Sequence, residues 1–152
     1  MNAEWPVPPG GWDISSLTRL FAADPEELGD VDVNVEQGSD VLRITLKERG
    51  QLDVLMVASG EQILCSVLLT PCETIPQREQ FERRALSVHK LIPLSTFGIS
   101  NLGGTEWYEL FGSLSARSTA EALIEEVAVL AANAVEAAEW ITEWIEAEGE
   151  PA

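Results

Sequence analysis

The sequence predicts an α+β fold in which helices flank a mostly antiparallel sheet of about six strands. Two apolar runs, residues 52–58 and 63–69, are separated by Ser-Gly-Glu-Gln, which is typical of a hairpin at the centre of a sheet. Shorter runs that alternate apolar and polar residues precede them, and a long amphipathic segment, residues 118–148, closes the 152-residue chain. The predicted order of elements is αββββαββα.

Residues 1–12 form a proline-rich arm that contains Trp5 and Trp12. Because proline disfavours regular pairing, we expect the arm to be extended. It could dock on the rest of the protein through its tryptophans or serve as a proline-rich ligand for another domain. Asp13 then caps a short helix, whose apolar residues follow at helical spacing: Ile14, Leu17, Leu20 and Phe21.

Four strands in a meander follow the first helix. Valines at 31, 33 and 35 alternate with polar residues, which predicts a strand with one solvated face. A turn at 37–40 leads to a second strand, residues 41–47, and a turn at 48–50 leads to the central hairpin. The continuous apolar composition of the hairpin strands predicts that both of their faces are covered.

The second half of the chain reads as helix, hairpin, helix. A helix is predicted from residue 76 or 77 to 90, and a hairpin of residues 95–101 and 105–113 turns at Gly103-Gly104. Ser118 should cap the last helix, with Glu121 completing a capping box. That helix would be about 45 Å long, so its far end either packs on the protein or projects beyond it. From the chain length we expect residues 1–152 to form one α+β domain.

The net charge of −17 is the most unusual feature of the amino-acid composition. Residues 1–40 and 118–152 together hold 18 of the 26 acidic residues and one of the nine basic ones. This charge argues against binding to nucleic acid, which depends on Lys and Arg, and against docking on anionic lipid. It indicates either solubility alone or a partner with a basic surface.

The sequence predicts no metal site, no cofactor and no membrane span. The two cysteines, Cys65 and Cys72, lie seven residues apart without a nearby histidine, which does not resemble a zinc site. No apolar run reaches the roughly 18 residues that a span needs. The start is polar and proline-rich and does not resemble a signal peptide, so we expect a cytoplasmic protein.

His89 is the only histidine and follows the predicted second helix. It could be a structural or capping residue, a catalytic base or a pH-sensitive contact. A small enzyme or ligand-binding domain that uses Cys72 or His89 in a cleft is therefore the alternative to a non-catalytic protein.

The end of the last helix is the most suggestive segment for function. Glu139, Glu143 and Glu146 fall on one helix face, and Trp140 and Trp144 lie one turn apart beside them. Tryptophans of this kind are common anchors of interfaces. The tail could pack on the protein or fray, or it could bind a second copy or a partner. The candidate interaction residues are Trp140, Trp144, Ile141, Ile145, Glu139 and Glu143.

Three stretches resemble the bacterial YjfI-like family: GEQIL at 60–64, HKLIPLSTFGI at 89–99 and YELFGSLSARS at 108–118. The resemblance spans roughly residues 4–139. It implies a possible partner, because members tend to be encoded beside PspA-type coiled-coil proteins that act in membrane stress. The order of elements is also similar to that of type III secretion chaperones, which implies an α+β homodimer that binds segments of client proteins.

These observations lead to one functional expectation. The protein is a non-catalytic, cytoplasmic interaction module of chaperone or adaptor type, and it is a homodimer. Its expected partner is a basic or amphipathic helical segment, with a PspA-type protein as the candidate.

Overall fold

A computed structural model describes residues 5–149 and has the predicted order αββββαββα. Short 3₁₀ turns at Lys47–Arg49, Cys72–Thr74 and His89–Leu91 punctuate the chain. The helices and strands are α1 (Ile14–Ala22), β1 (Val31–Val35), β2 (Val41–Leu46), β3 (Leu52–Ser59), β4 (Gln62–Pro71), α2 (Arg78–Val88), β5 (Thr96–Leu102), β6 (Thr105–Ser115) and α3 (Ala120–Gly149).

The six strands form one antiparallel sheet in the order β1-β2-β3-β4-β6-β5. The β3–β4 hairpin lies at its centre, as predicted, and turns at Gly60, whose φ of +64° suits glycine. Because β6 lies between β4 and β5, the edges of the sheet are β1 and β5. The α+β class with about six strands is therefore confirmed.

Only one face of the sheet is covered by helices. Inward-facing residues of the central hairpin, such as Val54, Met56 and Ile63, are fully buried together with residues of α1 and α3. The alternate residues, such as Leu55, Val57 and Leu64, are half-buried. The prediction that both faces of the hairpin are covered is wrong, since the apolar residues on the second face are shielded only by neighbouring side chains.

The N-terminal arm docks on the start of the last helix. The Trp12 indole N–H donates to the carbonyl of Ser118 at 2.8 Å, and its ring is 4% exposed. Asp13 caps α1 through a reciprocal pair of hydrogen bonds with Ser16, which also holds the pKa of the Asp13 carboxyl below its usual range. Residues 1–4 of the arm lie outside the described residues.

α3 begins one residue later than predicted. The hydroxyl of Thr119, not that of Ser118, accepts the backbone N–H of Ala122 at 3.1 Å. The backbone N–H of Ser118 instead donates to the carbonyl of Ser115 at 3.0 Å, and the carbonyl of Ser118 accepts the indole N–H of Trp12. The helix then runs 30 residues, about 45 Å, over β4 and β6.

Candidate functional site

The C-terminal half of α3 is held against α2 by aromatic side chains. The Trp140 ring stacks on Phe81 with centroids 4.6 Å apart, and the Trp144 ring meets Phe81 edge-on at 5.5 Å. The Trp144 indole N–H donates to the carbonyl of Pro76 at 2.8 Å. The two indoles therefore hold the end of α3 against α2 and the loop before α2. The sequence left open whether this end of α3 packs on the protein or projects beyond it, and the structure shows that it packs.

The acidic residues of the same helix segment lie on a different side. Glu139 and Glu143 stand at the rim of a shallow, open groove of about 500 Å³ along α3. Neither carboxylate has an ion-pair or hydrogen-bond partner among residues 5–149. The floor of this α3 groove is mostly apolar and is formed by Leu52, Ala134, Val135, Ala138 and Thr142.

The structure divides the six predicted interaction residues into two groups. Glu139 and Glu143 lie together at the α3 groove, and Ile145 is 37% exposed. Trp140 and Trp144 pack on α2, and Ile141 is only 5% exposed. Sequence reasoning missed Leu52 and Val135. The 48% exposure of Val135, together with that of Ile145, marks open apolar surface on this helix.

A second polar cluster lies at the N-terminal end of α2. The Tyr108 hydroxyl donates to Glu82 at 2.7 Å, and Arg78 bridges Glu82 and Glu106 at 2.7 and 3.0 Å. Arg78 lowers the pKa of Glu82, while burial raises that of Tyr108. Every charged group in this cluster has a partner. The cluster therefore has a structural role, which is to hold α2 on β6.

Cys72 adjoins this cluster, and its thiol is not activated. It is 1% exposed, and burial is the main cause that raises its pKa, although Arg78 acts in the opposite direction. A nucleophilic cysteine needs a lowered pKa and access to its substrate. Burial likewise raises the pKa of Cys65 to about 12.

His89 follows the C-terminal end of α2, whereas Cys72 precedes the N-terminal end of that helix. The Nε2 atom of His89 accepts the backbone N–H of Phe97 at 3.3 Å, which ties the 3₁₀ turn to β5. No hydrogen bond joins the Cys72 thiol to the His89 imidazole, so these two residues do not form the nucleophile–base contact of nucleophilic catalysis.

Two further features of residues 5–149 concern metal binding and the membrane. Within this part of the chain, no group of three or more Cys, His, Asp or Glu side chains is arranged to hold a metal ion. None of the described helices combines the length and the hydropathy that a membrane span requires.

The fold belongs to a class of small α+β proteins that includes secretion chaperones. The chain is similar to a chain of the ExsC–ExsE complex, with a TM-score of 0.60 and 18% identity over 86% of this chain and 97% of the other. It is also similar to a chain of the HopA1–SchA chaperone–effector complex, with a TM-score of 0.50 and 20% identity over 89% of this chain and 98% of the other. For Escherichia coli YbjN the TM-score is 0.54 and the identity 16%, over 82% of this chain and 94% of the other. Identities this low show the fold alone, and the predicted secretion-chaperone fold is confirmed.

The chain belongs to the family described as "Uncharacterized protein conserved in bacteria (DUF2170)", which matches residues 11–145. It is 29% identical to "Uncharacterized protein YjfI" of Escherichia coli (strain K12) over 132 residues, which are 87% of this chain and 96% of the relative. The YjfI-like family that the sequence resembles is therefore confirmed.

Proposed function

We propose that this protein is a non-catalytic interaction module of chaperone or adaptor type, which acts in the cytoplasm by receiving a basic amphipathic segment in the α3 groove. The observation that carries this proposal is the apolar floor of the groove with the unpartnered carboxylates of Glu139 and Glu143 at its rim. Two proteins of similar fold support it, since ExsC was solved with ExsE, and SchA was solved with the effector HopA1.

The chemistry of the groove selects the kind of segment that fits. Apolar side chains of the segment would cover Leu52 and Val135, and its Lys or Arg residues would reach the two rim carboxylates. The net charge of −17 also attracts a basic segment at long range, which raises its association rate. A PspA-type coiled-coil protein is the partner candidate, on the resemblance of this chain to the YjfI-like family.

Charge removal at the rim is expected to weaken binding of a purified PspA-type protein. Rim ion pairs contribute about 0.2–1 kcal/mol each, so Glu139→Gln/Glu143→Gln should raise the Kd by about 2- to 30-fold at low salt. The matched control is Glu26→Gln/Glu27→Gln, which removes the same charge from the exposed connector before β1. Isothermal titration calorimetry measures all three Kd values. No binding by the wild type, or equal weakening by both variants, would rule out the proposal.

We also propose that the protein works as a homodimer through a second surface, formed by residues 78–102, which comprise α2, β5 and the segment between them. Leu86, Leu91 and Leu94 on this surface are 70%, 76% and 64% exposed. β5 is an edge strand, whose free backbone groups can pair with a second copy across a two-fold axis. Residues 78–102 hold four basic and two acidic residues, so this surface lacks the acidic excess that the rest of the chain carries.

Replacing exposed leucines on this surface with glutamate is expected to dissociate the dimer. Light scattering of the wild type should give about twice the chain mass of 16.6 kDa, and Leu86→Glu/Leu91→Glu should give the mass of one chain. Val35→Glu is the control, because Val35 is 41% exposed on β1 at the opposite edge. A monomeric wild type, or a control that dissociates equally, would contradict this surface.

A further inference from the structure

The face of the sheet that no helix covers carries a row of three large side chains. Trp107, Glu109 and Phe111 alternate along β6 and therefore point to the same side. Leu68 of β4 and Gly98 of β5 are the cross-strand neighbours of Glu109. We call this side of the sheet the open face.

The carboxylate of Glu109 lacks a counter-charge on this face. It has no ion-pair or hydrogen-bond partner within residues 5–149, and burial raises its pKa. The Trp107 indole N–H likewise has no acceptor in the described part of the chain. By contrast, Arg43 of β2, which points to the same side of the sheet as Phe111, already pairs with Glu36 and, at 3.3 Å, with Asp53.

The open face also has a depression beside this row. Its volume is about 360 Å³. The apolar part of its lining comes from Leu52, Leu55, Leu68 and Trp107, and the charged part is the Arg43–Asp53 ion pair. Leu52 also lines the α3 groove, but the Trp107–Phe111 row lies on the other side of the sheet from α3. The open face is therefore a surface distinct from the α3 groove.

The backbone around this depression favours a helix as the occupant. β2, β3, β4 and β6 are paired on both sides, so their amide and carbonyl groups cannot accept an added strand. A helix satisfies its own backbone hydrogen bonds and can lie on a sheet face with an apolar stripe.

The unpartnered carboxylate selects a basic helix over a second copy of this chain. Stacking two open faces would bring the Glu109 carboxylates into one interface where Arg43 is already paired with Glu36 and Asp53, which is costly. A Lys or Arg on the helix would supply the missing charge and could also lie against the Trp107 or Phe111 ring. We therefore infer that the open face binds an amphipathic helix that places a Lys or Arg side chain on Glu109.

A designed 18-residue helical peptide of Leu and Lys tests this inference on the full-length protein. Zero-length carbodiimide coupling should join a peptide lysine to Glu109, and mass spectrometry identifies the joined residues. Glu109→Gln should raise the Kd of the peptide about tenfold, as expected for a partly desolvated charge pair. Glu26→Gln, at an exposed site on the connector, should leave the Kd nearly unchanged. A peptide with Glu in place of Lys should not bind.

The positions of the cross-links separate this inference from the proposed function. Coupling at Glu109 supports the open face, whether or not Glu139 and Glu143 also react. Coupling at Glu139 and Glu143 without Glu109 overturns the open face and leaves the α3 groove standing. A second copy of the chain joined through Glu109, or equal Kd values for Glu109→Gln and Glu26→Gln, also overturns it.

Discussion

Replacing Phe81 with alanine is expected to lower the free energy of unfolding by about 3–5 kcal/mol. Phe81 is fully buried, and its ring contacts those of Phe97, Tyr108, Trp140 and Trp144. Alanine would leave a cavity between α2 and α3 and would remove all four ring contacts. Urea denaturation followed by circular dichroism measures the change.

A matched substitution separates the effect of losing the aromatic ring from the effect of losing a buried apolar side chain. Phe81→Leu keeps the site apolar and much of its volume filled, so it should cost distinctly less than Phe81→Ala. Glu146→Ala, at an exposed position of α3, should change the unfolding free energy by about 0.5 kcal/mol or less. If Phe81→Ala cost no more than Glu146→Ala, then α2 and the end of α3 would not be packed as described.

Replacing Glu126 with methionine is expected to stabilise the protein by about 1–3 kcal/mol at pH 8. Glu126 is 8% exposed on the sheet-facing side of α3, and its Oε1 atom has no hydrogen-bond partner. The side chain lies so close to Gly112 of β6 that a Cβ on Gly112 would overlap Oε1. Methionine has a similar length and no polar atom that needs a partner.

The pH dependence of this effect has a definite sign. Burial, followed by the neighbouring charge of Glu125, raises the pKa of Glu126 in the folded protein above the ordinary carboxyl value. As the pH rises from that ordinary value, the unfolded chain ionises first and is favoured, so the wild type loses stability up to the raised pKa. The advantage of Glu126→Met should therefore be large at pH 8 and small at pH 4.

Urea denaturation at pH 4, 6 and 8 measures this difference. Glu146→Met is the control, because Glu146 is exposed on the same helix, far along it from Glu126, and should change the free energy of unfolding by about 0.5 kcal/mol or less. An advantage of Glu126→Met that is constant with pH would show that Glu126 is not the buried ionisable group. If Glu126→Met were less stable than the wild type, that result would contradict the finding that Oε1 of Glu126 has no hydrogen-bond partner.

The sequence allowed the strands to be predicted because their signals are local. The turns at Gly60 and Gly103-Gly104 are short-range features that the structure reproduces, as is the alternation at Val31 and Val33, although Val35 at the end of β1 is exposed. The cap at Asp13 is local as well. The cap at Ser118 was predicted wrongly, because a contact with Trp12, more than 100 residues away in sequence, competes for that residue.

The candidate site depended on contacts that the sequence does not display. Glu139 and Trp140 are adjacent in sequence, but one lies on the α3 groove and the other on Phe81. Which side of α3 meets α2 follows from the tertiary position of Phe81, which sequence periodicity cannot supply. The open face was missed for a related reason, since apolar runs in β3 and β4 do not distinguish a second layer of helices from a face without one.

The salt dependence of partner binding tests the central claim most directly. The Kd of the PspA-type protein is measured for the wild type and for Glu139→Gln/Glu143→Gln from 20 to about 500 mM salt, a range over which exposed charges become screened. We predict that the wild type weakens steeply with salt and that the two curves converge at high salt. Parallel curves with the same Kd throughout would show that the acidic rim of the α3 groove takes no part in binding.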